Sequence, residues 1–396
     1  MPAAPSLRTT IAIVTLLAAV PRLAASLYTP SMPSLSAEFG ASMGEVKLTF
    51  TAYIAGLAIG QILYGPISDS VGRKPVLLIG LALFSLLSLA CMFAPGIEWL
   101  AVGRFLQACC AAAGGVLSRA IVRDLFGPER TARAFAFVAM ATTLSPALGP
   151  LLGGQLQDIG GWQTAFGMLA IVGLGLLTWV SLRLPETRPR LAGSPASVKD
   201  IAHAFARLLR SPPFVAYTLS GAGHVSAVLC FFASAPFLLI DVVGITPSAY
   251  GYYSCVGVAG YFIGNFLATR TSGRSQIDPT IRIGAGIAVI GSAALLILAL
   301  MAPISVMSIM LPFAVMSCGS GMALPNCLAG STNRYPQIAG TSSALSSFLQ
   351  MAASTAATLL LALAGNHSAV PLGLFLLALS LLSLIAGLAL KRWPEK

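Results

Sequence analysis

The sequence has 396 residues, of which 57% are hydrophobic and only 9% are charged. No class of soluble protein has this composition, because a folded core cannot enclose so much apolar surface. The formal net charge of +11 has the sign expected of a nucleic-acid-binding protein, but the basic residues lie between apolar segments, so no nucleic-acid partner is predicted.

Twelve apolar segments are predicted to cross a membrane as helices. Each needs about 20 residues, since the hydrocarbon layer is about 30 Å thick and a helix rises about 1.5 Å per residue. The first six lie at 9–28, 46–66, 75–94, 99–121, 132–155 and 163–183. The other six lie at 212–239, 248–269, 281–301, 304–327, 338–364 and 369–390. Arg8 and the run after it resemble a secretory signal, but the later segments favour a retained first span.

The basic residues sort to one side of this arrangement. With a cytoplasmic N-terminus, the inner segments hold twenty of the 23 lysines and arginines, and only Lys47 falls on an outer loop. This is the positive-inside pattern, which an odd number of spans would break. We therefore predict that both termini are cytoplasmic and that most basic loop residues set topology rather than bind substrate.

The chain divides into two halves at its longest inner connection. Residues 185–211 are rich in proline and charge and predict a cytoplasmic linker between a six-helix bundle at 1–184 and a second at 212–396. The segment 59–63, IGQIL, has a weak echo in 263–267, IGNFL. The predicted fold is an all-α polytopic membrane protein of two pseudo-symmetric six-helix bundles.

The segment 65–75, GPISDSVGRKP, carries the strongest local pattern. Gly65 and Gly72 permit a tight turn, Asp69 can face a helix N-terminus, and Arg73 can reach an acid. The acid available is Asp124 at the inner end of the fourth span. We expect these groups to form a latch that joins the two halves on the inner side and opens in the other state. The alternative is a glycine-rich turn whose charges only set topology.

Two arginines lie deep within predicted spans. Arg22 is 14 residues beyond Arg8, about 21 Å along a helix, and shares a face with Ser26. Arg104 lies within the fourth span, one turn before Gln107. An unpaired arginine in hydrocarbon costs at least about 3 kcal/mol, so both should face a wet cavity or, alternatively, pack against carbonyl oxygens.

Titratable and aromatic residues within spans complete the predicted site. His224 is the one histidine in a position to line a path, although a buried packing role is the alternative. Cavity-lining candidates are Tyr28, Phe50, Tyr53, Tyr261, Asn265 and Asn326. The seven cysteines fall inside spans and the three histidines are far apart in sequence. We therefore predict no metal and no cofactor.

Several of these motifs resemble those of the major facilitator superfamily. The segment 65–75 is similar to its inner-loop signature, and 104–107 is similar to its embedded arginine motif, with Ala108 where glycine is usual. The segment 145–154, SPALGPLLGG, resembles the Gly-Pro motif of proton-coupled drug exporters. Its motif residues are Gly149, Pro150, Gly153 and Gly154. The chain is most similar to the bicyclomycin and chloramphenicol resistance (Bcr/CflA) branch.

One departure from that branch concerns proton coupling. The first span of these exporters usually carries an acid two positions before a Tyr-x-Pro, and Ser26 stands there instead. In this respect the chain resembles the EmrD-like exporters. All twelve acids fall at loops or span ends, so His224 is the only coupling side chain that we can suggest.

The resemblance implies a bacterial inner-membrane transporter, monomeric and without enzymatic activity. It implies export of a small hydrophobic or amphipathic compound by alternating access, with protons as the exchanged partner. The acid-free cavity with two arginines favours neutral or anionic substrates. The alternatives are an importer of organic anions and a siderophore or metabolite exporter of the same superfamily. An intramembrane enzyme is disfavoured because no catalytic set lies within the spans.

Overall fold

A computed structural model describes residues 7–125, 128–187, 198–270, 277–364 and 368–393. Over these ranges the chain is helical and contains no strand. Several basic residues used in the topology prediction, among them Arg188, Arg190 and Arg274, lie outside the described residues, as does His367.

Long helices follow one another with short connections. In the first half they are α1 (Leu7–Ser26), α2 (Met32–Phe39), α3 (Met43–Val71), α4 (Arg73–Met92), α5 (Ile97–Leu125), α6 (Pro128–Gly160) and α7 (Trp162–Arg183). In the second half they are α8 (Val198–Leu209), α9 (Pro212–Pro236), α10 (Pro247–Arg270), α11 (Ile277–Met301), α12 (Val306–Asn333), α13 (Ala339–Leu363) and α14 (Val370–Ala389). A π-helical turn, Phe237–Val242, extends α9.

Among the described residues, eleven helical segments are long and apolar enough to cross a membrane. The remaining predicted span, 248–269, forms α10, which has 24 residues and is therefore about 36 Å long. Its glycines and tyrosines lower its mean hydropathy, which is why it is not among the eleven. Since α10 packs along α12 and α6, part of its surface faces protein rather than lipid.

Three local expectations are wrong. The first span does not end at residue 28, because a 3-10 turn (Thr29–Ser31) leads directly into α2. The segment 65–71 is not a turn but the end of α3, so that only Gly72, with φ +113°, turns the chain. Lys47 does not lie on an outer loop. It belongs to α3, and its side chain is fully buried.

The two ends of the bundle are named after two glycines. At the Gly40 end, Gly40 adopts φ +60° and terminates α2, and the Ser42 hydroxyl and the Glu45 carboxylate form a capping box that starts α3. At the Gly72 end, α3 passes into α4. The predicted linker contains the helix α8, and residues 188–197 lie outside the described part of the chain.

The packing of the helices follows a two-fold pattern. Within the first half, α3 packs on α5, α4 on α7, and α1 on α5 and α6. Within the second half, α10 and α11 pack on α12, and α9 packs on α13 and α14. Between the halves, α6 packs on α10 and α3 packs on α13. The second span of each half therefore contacts the fifth span of the other, as expected for two related bundles.

Candidate functional site

The charged residues at the Gly72 end form the predicted ion pair. The Arg73 guanidinium lies 2.5 Å from an Asp69 carboxylate oxygen through Nη1 and 3.1 Å from Asp124 Oδ2 through Nε. It also donates to the Ser68 hydroxyl at 2.6 Å. Charge-assisted bonds of this kind are among the stronger polar contacts in proteins. They join the turn between α3 and α4 to the end of α5.

Glu186, just beyond α7, completes this network. Its carboxylate accepts hydrogen bonds from the backbone N–H groups of Arg73, at 2.9 Å, and Lys74, at 3.0 Å. These N–H groups lie in the first turn of α4, where they have no partner within the helix and where α4 has no acid of its own. The Glu186 carboxylate therefore accepts their hydrogen bonds and interacts favourably with the positive end of the helix dipole. A Cβ on Gly72 would lie 2.8 Å from Glu186 Oε2. The sequence analysis did not assign this role to Glu186.

The predicted function of the latch has to be corrected. Asp69, Arg73, Asp124 and Glu186 all belong to α3–α5 or to the end of α7, which are elements of the first half. The network therefore holds four segments of one bundle together rather than joining the two bundles. Gly65 does not mediate a close helix contact either, because a Cβ at that position would meet nothing within 4 Å.

Arg104 is enclosed by aromatic rings inside the first half. The centre of its guanidinium lies 3.9 Å from the Tyr53 ring centroid and 4.2 Å from that of Tyr28. Nη1 donates to Gln107 Oε1 at 2.7 Å, and Nη2 donates to the Ala24 carbonyl at 3.1 Å. Stacking on aromatic faces and a carbonyl acceptor are how a desolvated arginine is stabilised without a carboxylate.

The residues around Arg104 are themselves fixed. Tyr28 shares a 2.9 Å hydrogen bond with the Thr49 hydroxyl, and Tyr53 donates to the Pro21 carbonyl at 2.9 Å. The Gln107 amide donates to Ser88 Oγ at 2.7 Å. Since Arg104 is fully buried, the expectation that it faces a wet cavity is wrong. Tyr28, Tyr53, Arg104 and Gln107 together tie α1, α3, α4 and α5 to one another.

Arg22 has the opposite environment. It lies 15 residues beyond Leu7, about 22 Å along a helical segment that continues to Phe39. Protein surrounds it on most sides, yet its side chain is exposed, as expected for a residue that lines a cavity. Tyr261 of α10, in the other half, lies within electrostatic range. The hydroxyl of Ser26 does not join this cavity, because it is buried and bonds the Arg22 carbonyl at 3.1 Å.

Two further arginines extend the charge of Arg22 along α5. Arg119 interacts electrostatically with both Arg22 and Arg123, one helical turn further on. Both salt bridges found in the described part of the chain involve Arg73, so none of these three arginines is paired with a carboxylate there. Arg119 and Arg123 are among the basic residues that the sequence predicted to set topology. We call Arg22, Arg119 and Arg123 the arginine cluster.

The Gly-Pro segment of α6 brings three chain segments together. A Cβ on Gly149 would lie 2.8 Å from Ser26 Cβ, and one on Gly153 would lie 2.8 Å from the Leu27 carbonyl carbon. One on Gly154 would lie 2.8 Å from the Pro247 carbonyl carbon, at the start of α10. These glycines therefore let α6 approach both the first span and the other half. Pro150 follows Gly149 within α6, which remains helical there.

His224 does not line an open path. Its side chain is buried, and Nδ1 lies 3.0 Å from the Ser320 hydroxyl of α12, within the second half. Nε2 has no hydrogen-bond partner among the described residues. This arrangement is the packing alternative that the sequence left open.

The remaining predicted lining residues differ in exposure. Phe50 is buried in an apolar core cluster that contains residues of both halves. Tyr261, Asn265 and Asn326 are partly exposed. The Asn326 amide donates to the Met322 carbonyl of its own helix at 2.8 Å. Of these four residues, Tyr261 is the one found to interact electrostatically with Arg22.

Comparison with known proteins gives concordant matches. The sequence profile of the Major Facilitator Superfamily matches residues 14–358. An uncharacterized MFS-type transporter of Bacillus subtilis, YdgK, is 34% identical over 277 residues, 69% of each chain. A bicyclomycin resistance protein homolog of Haemophilus influenzae is 25% identical over 330 residues, 83% of each chain. A solved bacterial homolog of the human lysosomal transporter Spinster, inward-facing and unoccupied, superposes over 98% of both chains with a TM-score of 0.78 and 16% identity, which shows the fold alone.

Proposed function

The chain belongs to the major facilitator superfamily, in its drug-exporter branch, and we propose that it exports small anionic or neutral amphipathic compounds by alternating access in exchange for protons. It is a multi-pass membrane transporter and not an enzyme. The proposal takes the Gly72 end as cytoplasmic, in agreement with the positive-inside distribution of charge.

The arginine cluster carries the substrate assignment. An arginine in a membrane interior must face water or a counter-ion, because its removal from water is costly. Arg22 is exposed at mid-span, and the electrostatic neighbours found for it are Tyr261 and Arg119 rather than an acid. Arg119 interacts with both Arg22 and Arg123, and neighbouring like charges repel one another. A bound anion relieves this repulsion, whereas a cation increases it.

The contacts between the halves support a conformation that is closed at the Gly40 end. At the Gly40 end, a Cβ on Gly154 or Gly251 would meet backbone atoms of the opposite half within 2.9 Å. A Cβ on Gly44 would lie 3.0 Å from the Ala362 carbonyl oxygen of α13. These near contacts close the Gly40 end. In the proposed cycle they separate when the substrate leaves, while the network around Arg73 moves as part of one rigid half.

Proton exchange is the finer part of the proposal. The superfamily resemblance suggests it, and the first span lacks the usual acid. His224 is the histidine suggested from the sequence, and substrate protonation is a second route. Transport into inverted vesicles under an imposed pH gradient tests the exchange. An anion flux that does not respond to the gradient would remove the antiport claim, and a normal response in His224→Ala would exclude His224.

The substrate class is tested with matched ligands. Exporter-deficient cells that express the wild-type chain are loaded with anionic, neutral and cationic dyes of the same size, and dye efflux is followed by fluorescence. We expect efflux of the anionic dye, at least tenfold slower in Arg22→Gln. Arg183→Gln, an exposed residue at the end of α7, serves as the charge-matched control with unchanged efflux. A clear preference of the wild type for the cationic dye would overturn the proposal.

An importer of organic anions is the second candidate, because the arginine cluster serves an anion equally well in either direction. The direction is decided by accumulation. Cells that express an exporter hold less of the anionic dye than cells without it, whereas cells that express an importer hold more.

A further inference from the structure

A buried lysine lies at the seam between the two halves, and it has no counter-ion in the part of the chain that the structure describes. Lys47 is in the second turn of α3, about 6 Å from the start of that helix at the Gly40 end. Its side chain is fully buried. Its Nζ lies 5.4 Å from the centroid of the Phe237 ring, which belongs to the π-helical turn of the other half. Lys47 is therefore covered by both bundles.

The Lys47 amine lacks every partner that a buried ammonium requires. Nζ has no hydrogen-bond partner among the described residues. The aromatic ring offsets only part of the cost of removing an ammonium from water. A lysine held in such a place gives up its proton rather than remaining charged. In the conformation observed, burial without a counter-ion therefore favours the neutral amine of Lys47 over the ammonium.

The titratable groups on the surrounding elements do not change this conclusion. Cys230 of α9 is the one that interacts electrostatically with Lys47. Glu45, on the same helix, is exposed and bound to Ser42. Glu38 of α2 accepts from the Trp162 indole at 2.6 Å, and Asp241 is exposed. The sequence of α13 contains no titratable group. No carboxylate of the described residues lies within salt-bridge distance of Lys47.

We propose that Lys47 is a proton-binding site that couples protonation to the opening of the Gly40 end. When α3 separates from the Phe237 turn, outer water reaches the amine, which takes up one proton because a hydrated lysine is charged throughout the physiological range. As the seam closes, the ammonium gives that proton to the water that leaves the seam, which carries it away as hydronium, and the side chain remains as a neutral amine.

This inference rests on the proposed alternating access, and it supplies the exchange with a group that the first span lacks. Because the open and closed states differ by one bound proton, the ratio of open to closed molecules should rise up to tenfold for each unit by which the pH falls. The effect requires no substrate. It can therefore be measured even if the proposed anion export is incorrect.

The test is a distance measurement on substrate-free protein in lipid nanodiscs. Nitroxide labels are placed by Glu98→Cys and Ser368→Cys, two exposed positions at the Gly40 end in opposite halves, in a background that keeps the buried Cys230 and lacks the other native cysteines. Electron resonance then gives the fraction of open molecules between pH 5 and pH 9. We expect the open fraction to rise as the pH falls, and we expect Lys47→Met to remove this dependence and remain closed.

Controls separate this role from a packing role. Lys391→Met, which removes an exposed lysine, should keep the wild-type pH dependence. Lys47→Gln repeats the test with a neutral polar side chain if the methionine variant fails to fold, and monodisperse elution decides that point. The proposal fails if a folded Lys47 variant keeps the wild-type slope, or if the wild-type open fraction does not change with pH. Anion efflux by the same variants tests the proposed function separately.

Discussion

Replacement of Arg104 by glutamine is expected to destabilise the fold rather than to change substrate choice. The guanidinium donates to Gln107 and to the Ala24 carbonyl, and each bond from a charged donor contributes about 1.5–3 kcal/mol. The rings of Tyr53 and Tyr28, at 3.9 and 4.2 Å, add about 2 kcal/mol each when desolvated. Removing a charge also relieves its desolvation cost, so we expect a net loss of about 3–5 kcal/mol.

The assay is thermal unfolding of the purified protein, followed by intrinsic fluorescence, together with binding of the anionic dye. Arg104→Gln should lower the Tm by several degrees, and Arg104→Lys should be intermediate because it keeps the charge but loses the planar fork. Arg22→Gln is the matched control, since its side chain is exposed; it should keep the Tm and lose dye binding. If Arg104→Gln kept the wild-type Tm and lost dye binding, Arg104 would be a substrate contact.

Two further predictions concern the motifs. Asp124→Asn should reduce the transport rate more than Asp69→Asn. The Asp124 side chain is 14% exposed and that of Asp69 is 51% exposed, so water screens the contact of Asp69 with Arg73 more strongly. Equal losses of transport rate in a vesicle assay would contradict this. Gly149→Ala should slow transport and lower the Tm because the new Cβ would lie 2.8 Å from Ser26 Cβ. Gly65→Ala should change neither, because a Cβ there meets nothing within 4 Å. A larger effect of Gly65→Ala than of Gly149→Ala would refute the packing argument.

The positions of most spans and the pairing of Arg73 with Asp124 could be predicted from the sequence. Each depends on local composition or on a motif of a few residues. The prediction failed where a residue's partners are distant in the chain. Glu186 binds the first turn of α4 across 113 sequence positions, and no local pattern marks that contact. Lys47, at the edge of the predicted span 46–66, was counted with an outer loop because hydropathy counts charges and does not register which helix covers them.

The sequence by itself determined that this chain lies in a membrane, because about 20 apolar residues in succession span the hydrocarbon layer whatever their neighbours are. It also determined that the charges deep within the predicted spans are positive, because no acid lies at mid-span. Only the tertiary structure decided which arginine is structural and which is accessible. Both Arg22 and Arg104 lie within membrane spans, but Tyr28 and Tyr53 enclose Arg104 whereas Arg22 is exposed, and that difference depends on how the helices pack rather than on where they begin and end.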